Sequence, residues 1–301
     1  MTLRSAKTPF LHRPSVVPWV FLAPFLLLFL TFSLYPILNA FYLSVSQMES
    51  ITSLPQFVGL ANYAKLWNDP SFWKALNNTI LYTVGVLLTL IPIPLIYAAL
   101  LQSGWVKGAH SYRLILFTPL LTSLVVATIV FRYMLGPEGF INAILNFLNL
   151  PPQRWVEVGT YAMPICVLIA FWRWTGMNIV YFQSGLNNIP KELFEAAALD
   201  GASGLQSFYF VTLPLLKPIV IFVVTISLIG SLQVIVEPYI LYGAMAGPGE
   251  SALTMMFYLY MVAFQRLNFG YAAAIGVVLA ILIMAVSLVQ FRFFGFFSQE
   301  E

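Results

Sequence analysis

Apolar residues run through this chain in long unbroken blocks. They show neither the two-residue alternation of a half-buried strand nor the narrow stripe of a surface helix. The first block, PWVFLAPFLLLFLTFSLYPIL, begins at Pro18. About 20 such residues in a row suffice for a helix to cross the hydrocarbon of a bilayer. Blocks of this kind predict six spans, at 17–40, 77–101, 112–134, 161–182, 217–240 and 269–291. A seventh, SALTMMFYLYMVAF, holds only about 14 apolar residues, too few to cross. It predicts an interfacial or re-entrant helix over 252–264. Read as a span, it would put the two termini on opposite sides.

Composition supports this reading. Of the 301 residues, 60% are hydrophobic and 8% charged, where a soluble domain carries roughly 25% charged residues. A surface so poor in charge does not face water. In lipid the backbone must bond internally, as helices or a closed barrel, and continuous apolar blocks select helices. The expected fold is an all-α integral membrane protein of six transmembrane helices. Its expected parts are a cytoplasmic N-terminal segment, 1–16, a transmembrane domain, 17–291, with a loop at about 183–216, and a cytoplasmic tail, 292–301. The longer external segments, 41–76 and 135–160, read as caps rather than domains.

The basic residues orient the spans. Arg4, Lys7, Arg13, Lys107, Arg113, Lys191, Lys217 and Arg292 fall on one side of this topology, and Lys65, Lys74, Arg132, Arg154 and Arg266 on the other. The excess lies near the first span and in short loops, where positive charge marks the cytoplasmic side. Both termini and the 183–216 loop are therefore expected in the cytoplasm. The first apolar run is too long for a signal peptide and lacks a small-residue cleavage site. Cys166 has no partner in the chain and reads as a packing residue. A net charge of +3, spread over membrane flanks, gives no support for nucleic-acid binding.

One segment breaks the apolar pattern. NNIPKELFEAAALDGASG, from Asn187, reads as a short helix bounded by Asn187 or Asn188 as N-cap, Pro190 in the first turn and Gly201 as a left-handed stop. Such a helix, of about 11 residues and roughly 16 Å, is too short to hold itself in water. Leu193 with Ala197, and Phe194 with Ala198, form apolar i, i+4 pairs, and Ala196 and Ala197 allow close approach of another backbone. The face suits a groove on a partner protein; it also suits a helix lying on lipid headgroups.

Here the chain resembles a known family. Glu195-Ala196-Ala197, three residues, Gly201, nine residues and Val211-Thr212-Leu213-Pro214 match the EAA loop of binding-protein-dependent ABC importer permeases, with valine for the usual isoleucine. FVGLANYAKLWNDPSFWKALNNT, LNNIPKELFEAA and FGYAAAIGVVLAIL are similar to the carbohydrate branch, and within it to the first permease subunit of the maltose, lactose or glycerol-phosphate type. The resemblance implies that Glu195, Ala196, Ala197, Asp200, Gly201, Leu213 and Pro214 couple the permease to an ATPase. It implies a second permease subunit, two cytoplasmic ATPase subunits that carry ATP and magnesium, and an extracytoplasmic solute-binding protein. It places the chain in the lipid bilayer of a bacterial or archaeal cytoplasmic membrane. The family's Gly-Gly-Pro after span five survives here only as Gly247-Pro248.

The chain has no G-x-x-x-x-G-K-[ST], C-x-x-C or H-E-x-x-H, so no cofactor or metal of its own is expected. His12 and His110 lie in short cytoplasmic segments. Candidate substrate contacts lie within the spans. In span five, Ser231, Gln233, Glu237 and Tyr239 stand out. Gln233 and Glu237, four apart, are expected on one helical face, with Pro238 freeing the Val234 carbonyl. An intramembrane carboxylate is a functional candidate by default, although Glu237 could instead sit at the outer interface, solvated or paired with Arg266. In span four, Asn178 could bond a sugar hydroxyl, and Trp174 could stack on a pyranose or anchor the helix at the interface. Arg173 needs a partner: an acid of a second subunit, or water reached by snorkelling. Thr118 and Thr122 suit bonds within their own helix or to a neighbour better than substrate contacts. Rival readings are an ion-coupled secondary transporter, of whose intramembrane acid pairs only Glu237 is a trace, a membrane enzyme, and an importer of a non-sugar solute such as an amino acid, phosphate, polyamine or glycerol-phosphate.

Overall fold

A computed structural model describes residues 17–48, 53–102 and 106–294. The expected segment 1–16, with Arg4, Lys7, Arg13 and His12, and the tail beyond Phe294 lie outside the described residues. Among the described residues, five helices are long and apolar enough to cross a membrane: α1 (Val17–Ser44), α3 (Pro70–Gln102), α7 (Gly159–Asn187), α10 (Lys217–Met245) and α12 (Phe269–Phe293). The expected third span is not one straight helix. It is a pair, α4 (Ala109–Leu121) and α5 (Leu124–Met134), bent by 97° at the break between them. Pro119 shortens the end of α4 into a 3-10 turn, and Thr122 and Ser123 are extended. The long apolar run concealed this break.

Prolines also set several of the other irregularities. In α1 a π-turn covers Leu30–Leu34, with Tyr35 N–H donating to Leu30, one residue before Pro36. A second π-turn, Phe208–Thr212, has Leu213 N–H donating to Phe208, one residue before Pro214. In each case the proline has no N–H for the next carbonyl of the ladder, and the preceding residue takes up a wider bond. α3 has a break near Ile91 between Pro92 and Leu90, and α10 breaks at 233–235.

At one end of the bundle, a two-stranded hairpin, β1 (Ser46–Gln47) and β2 (Gln56–Phe57), leads to α2 (Ala61–Trp67). The same end carries α6 (Phe140–Phe147), the turn-rich stretch 246–254 and α11 (Met255–Gln265). Gly270, at the start of α12, lets this assembly close: a Cβ there would lie 2.0 Å from the Ser46 carbonyl oxygen. The helix expected over 252–264 is indeed too short to cross, yet it does not lie on the surface. Met255, Phe257 and Tyr258 are buried, in one cluster with Phe72 of α3 and Ile275 of α12. The opposite end is marked by Gln102 and Asn187, the last residues of α3 and α7, whose side chains hydrogen-bond at 2.9 Å. Beside it lies α8 (Lys191–Leu199).

Candidate functional site

Three of the helix breaks meet around one cavity of about 260 Å³. Each break frees a backbone carbonyl, and a side chain from another element takes it. Pro94 has no N–H for Leu90, and Asn178 Nδ2 donates to the Leu90 oxygen at 2.8 Å. Pro238 frees Val234, whose oxygen accepts from Thr254 Oγ1 at 2.7 Å. At the α4–α5 bend, the Thr122 oxygen accepts from Arg173. Broken helices are tolerated at membrane depth only where their backbone groups find such partners or line a wet cavity. Gly176 makes the third junction possible, because a Cβ there would sit 2.1 Å from the Leu116 oxygen.

Five of the six expected substrate contacts line this cavity: Trp174, Asn178, Ser231, Gln233 and Glu237. The sixth, Tyr239, is not among its lining residues; its ring packs edge-on against Phe257 and Tyr260 at 5.5 Å from each. Gln233 and Glu237 do not share a face of one continuous helix, because the α10 break falls between them. They line it from either side of that break in the chain. Glu237 is 4% exposed, which rules out the solvated outer position. Its side-chain partner is the Tyr82 hydroxyl, with the Arg173 charge within electrostatic range. Arg266 is elsewhere, over the Tyr258 ring. Tyr82, on α3, went unnoticed in the sequence, where a tyrosine in an apolar run carries no signal.

The remaining polar groups divide by availability. Ser231 Oγ donates back to Leu228 at 3.0 Å, and Asn178 commits its amide nitrogen to Leu90, leaving its oxygen. Gln233 is exposed, and Trp174 is 42% exposed with Arg173 over its ring at 5.4 Å. Thr118 and Thr122 bond to Leu114 and Pro119 within their own turn. Arg173 thus finds its partner in a backbone carbonyl of this chain. Cys166 is wholly buried, as a packing residue is.

At the other end, α8 starts at Lys191, with Pro190 rather than Asn187 or Asn188 as N-cap. Asn187 is still part of α7 and bonds Gln102 instead. Gly201 adopts φ +79°, Ala202 N–H donates to Ala197 at 2.9 Å, and Gly201 N–H to Ala198 at 3.1 Å. This is the Schellman arrangement that a left-handed glycine allows. No residue of α8 is buried. Phe194 and Ala197 are half-buried, and Phe194 packs on the core cluster that holds Leu186 and Leu216, while Leu193 is 41% and Leu199 90% exposed. Leu213 and Pro214 lie in α9, the helical stretch 204–215, which leads into α10 through the buried Leu216.

A bundle of helices long and apolar enough to cross a membrane, whose breaks surround a mainly apolar cavity carrying a few polar groups, is an architecture suited to a transport pathway. The chain belongs to the family of binding-protein-dependent transport system inner membrane components, whose model it matches over residues 2–300. It is 44% identical to the arabinooligosaccharides transport system permease protein AraP of Bacillus subtilis (strain 168), covering 96% of this chain and 92% of that one. It is 34% identical to the lactose transport system permease protein LacF of Rhizobium radiobacter, covering 91% and 92%. Its fold matches a chain of the bacterial alginate ABC transporter solved in complex with alginate pentasaccharide-bound periplasmic protein, with TM-score 0.81 at 22% identity over 92% and 93% of the two chains.

Proposed function

We propose that the chain is one of two different permease subunits of an ATP-driven importer whose cargo is an oligosaccharide, delivered by an extracytoplasmic solute-binding protein. The observation that carries the coupling role is α8: a capped helix with no buried residue, left bare between α7 and the helical stretch 204–215. Exposed leucines on so short a helix fit a groove on another protein. In this reading α8 seats in a cytoplasmic ATPase subunit. A pair of those subunits binds ATP and magnesium, and this chain hydrolyses nothing. Both termini and α8 face the cytoplasm, in keeping with the distribution of lysine and arginine.

The connectivity suggests how force reaches the cavity. Motion of α8 passes along 204–215 into α10, whose break at 233–235 lines the cavity. Closure of the ATPases on ATP would shift α8, and the α10 break would turn that shift into a change of cavity access. The choice of cargo rests on similarity to AraP and LacF. It fits a cavity with an exposed tryptophan face, an amide and a buried carboxylate. The test is ATP-dependent uptake into proteoliposomes holding both permeases and the ATPase, with binding protein and a panel of labelled sugars. Saturable uptake of arabino- or galacto-oligosaccharides supports the reading; uptake confined to amino acids, polyamines or phosphate esters overturns the cargo assignment.

A further inference from the structure

At the end of the bundle opposite α8, a polar recess of about 480 Å³ is lined by Lys65, Asn68, Asp69, Tyr258, Arg266 and Tyr271 among others. The hydroxyls of Tyr258 and Tyr271 both donate to Oδ2 of Asp69, the second at 2.6 Å. Asp69 Oδ1 accepts from Ser71 N–H at 3.0 Å. The carboxylate is therefore fully engaged, and among the described residues it takes no part in an ion pair. Lys65 Nζ lies 4.6 Å from the centre of the Tyr271 ring, and the Arg266 guanidinium 5.6 Å from that of Tyr258. Both cations are exposed, and among the described residues neither has a hydrogen-bond acceptor or an ion-pair partner.

Arg266 is held in place at a cost. It follows a π-turn, Met261–Gln265, and precedes Leu267 at φ +54°. A left-handed leucine costs about 1–2 kcal/mol, and Leu267 is left 46% exposed. Backbone strain of this kind concentrates at functional positions. The recess thus presents many N–H donors, two positive charges against one saturated carboxylate, and two tyrosine faces that fix the cations.

We infer that this recess receives an acidic side chain of a soluble protein docking on the face opposite α8. Resting on the proposed function, that protein is the solute-binding protein. A carboxylate supplies the acceptors that both cations lack, and charge pairing at a rim accelerates encounter and weakens with salt.

The test measures ATPase activity of the complete reconstituted transporter, in zwitterionic liposomes, against binding-protein concentration at several salt concentrations. Lys65→Glu with Arg266→Glu raises the half-saturating concentration by about tenfold or more and flattens its salt dependence. The milder pair Lys65→Gln and Arg266→Gln, which keeps the stems on the tyrosine rings, raises it by about threefold. An unchanged half-saturating concentration, or a shift that salt does not modulate, overturns the inference. So does a shift seen only when anionic lipid is added, which would assign the recess to a lipid headgroup. A wild-type transporter whose ATPase ignores every binding protein would remove the proposed function itself, and this inference with it.

Discussion

Asn178 Nδ2 donates to the Leu90 carbonyl across 2.8 Å, replacing the bond that Pro94 cannot make. The pair ties α7 to α3 at the cavity wall. Asn178→Leu strands a buried acceptor, which costs about 1–3 kcal/mol. Thermal unfolding of the purified protein in detergent is expected to fall by about 2–8 °C. An unchanged midpoint would show that the bond carries no structural load.

Gln233 makes a contrasting case, because its exposed amide lines the cavity and bridges none of the helix breaks. Gln233→Ala is expected to leave the unfolding midpoint in place and raise KM for the sugar about fivefold, the equivalent of one hydrogen bond of about 1 kcal/mol. Unchanged uptake kinetics would remove it from the binding set.

Gly176 faces the backbone of α4 so closely that even a methyl group lies 2.1 Å from the Leu116 oxygen. A backbone atom cannot step aside as a flexible side chain can. Gly176→Ala should destabilise by at least about 1–3 kcal/mol, read as loss of monodisperse protein in detergent. Wild-type yield and stability would contradict the close approach of α4 and α7.

Gly201 fails differently, since nothing lies within 4 Å of its would-be Cβ. The cost of Gly201→Val is purely that of a β-branched residue at φ +79°, about 1–2 kcal/mol. It falls on the end of α8 alone. Membrane insertion should persist while sugar transported per ATP drops, measured as uptake against phosphate release in the same proteoliposomes. A normal ratio would deny α8 its coupling role.

Much of this architecture was legible in the apolar blocks. Continuous runs announce α1, α3, α7, α10 and α12, and the glycine stop of α8 follows from Gly201 being the residue that tolerates a left-handed φ. What stayed hidden were the partners of the breaks. Pro238 shows that Val234 loses a bond, but nothing local shows that Thr254, twenty residues on, supplies it. Likewise Arg173 in an apolar run signals an unmet need without naming Thr122. The 97° bend in 109–134 was invisible because Thr118-Pro119 in a short turn looks like an ordinary kinked span. Ala246, standing where the family's first glycine of Gly-Gly-Pro would fall, adopts φ +52°, a conformation that glycine favours.

Asp69 supplies a dependence on pH. Burial opposes its ionisation, but bonds from Tyr258 and Tyr271 and the backbone N–H of Ser71 and Phe72 outweigh it and hold the carboxyl below its ordinary value. The tie is therefore complete above about pH 4 and is lost as pH falls through the lower, folded-state value. Protection of the α11 amides against hydrogen exchange, taken relative to the intrinsic rate at each pH, should be high at neutral pH, fall only in acid, and be low already at neutral pH in Asp69→Ala. Equal exchange in wild type and variant would show that α11 is held by its buried side chains alone.

Glu195 lies exposed on α8 and makes no ion pair among the described residues. Glu195→Lys reverses the charge offered to the ATPase, and less than half of the wild-type amount of that subunit should co-purify with the permease pair. Full recovery of the ATPase would place the contact elsewhere.

Energy source is the most direct measure of the whole account. Vesicles containing both permeases are supplied either with the ATPase, binding protein and ATP, or with a proton or sodium gradient and no ATPase. Sugar should accumulate in the first case and stay at background in the second; accumulation driven by the gradient alone would contradict the account.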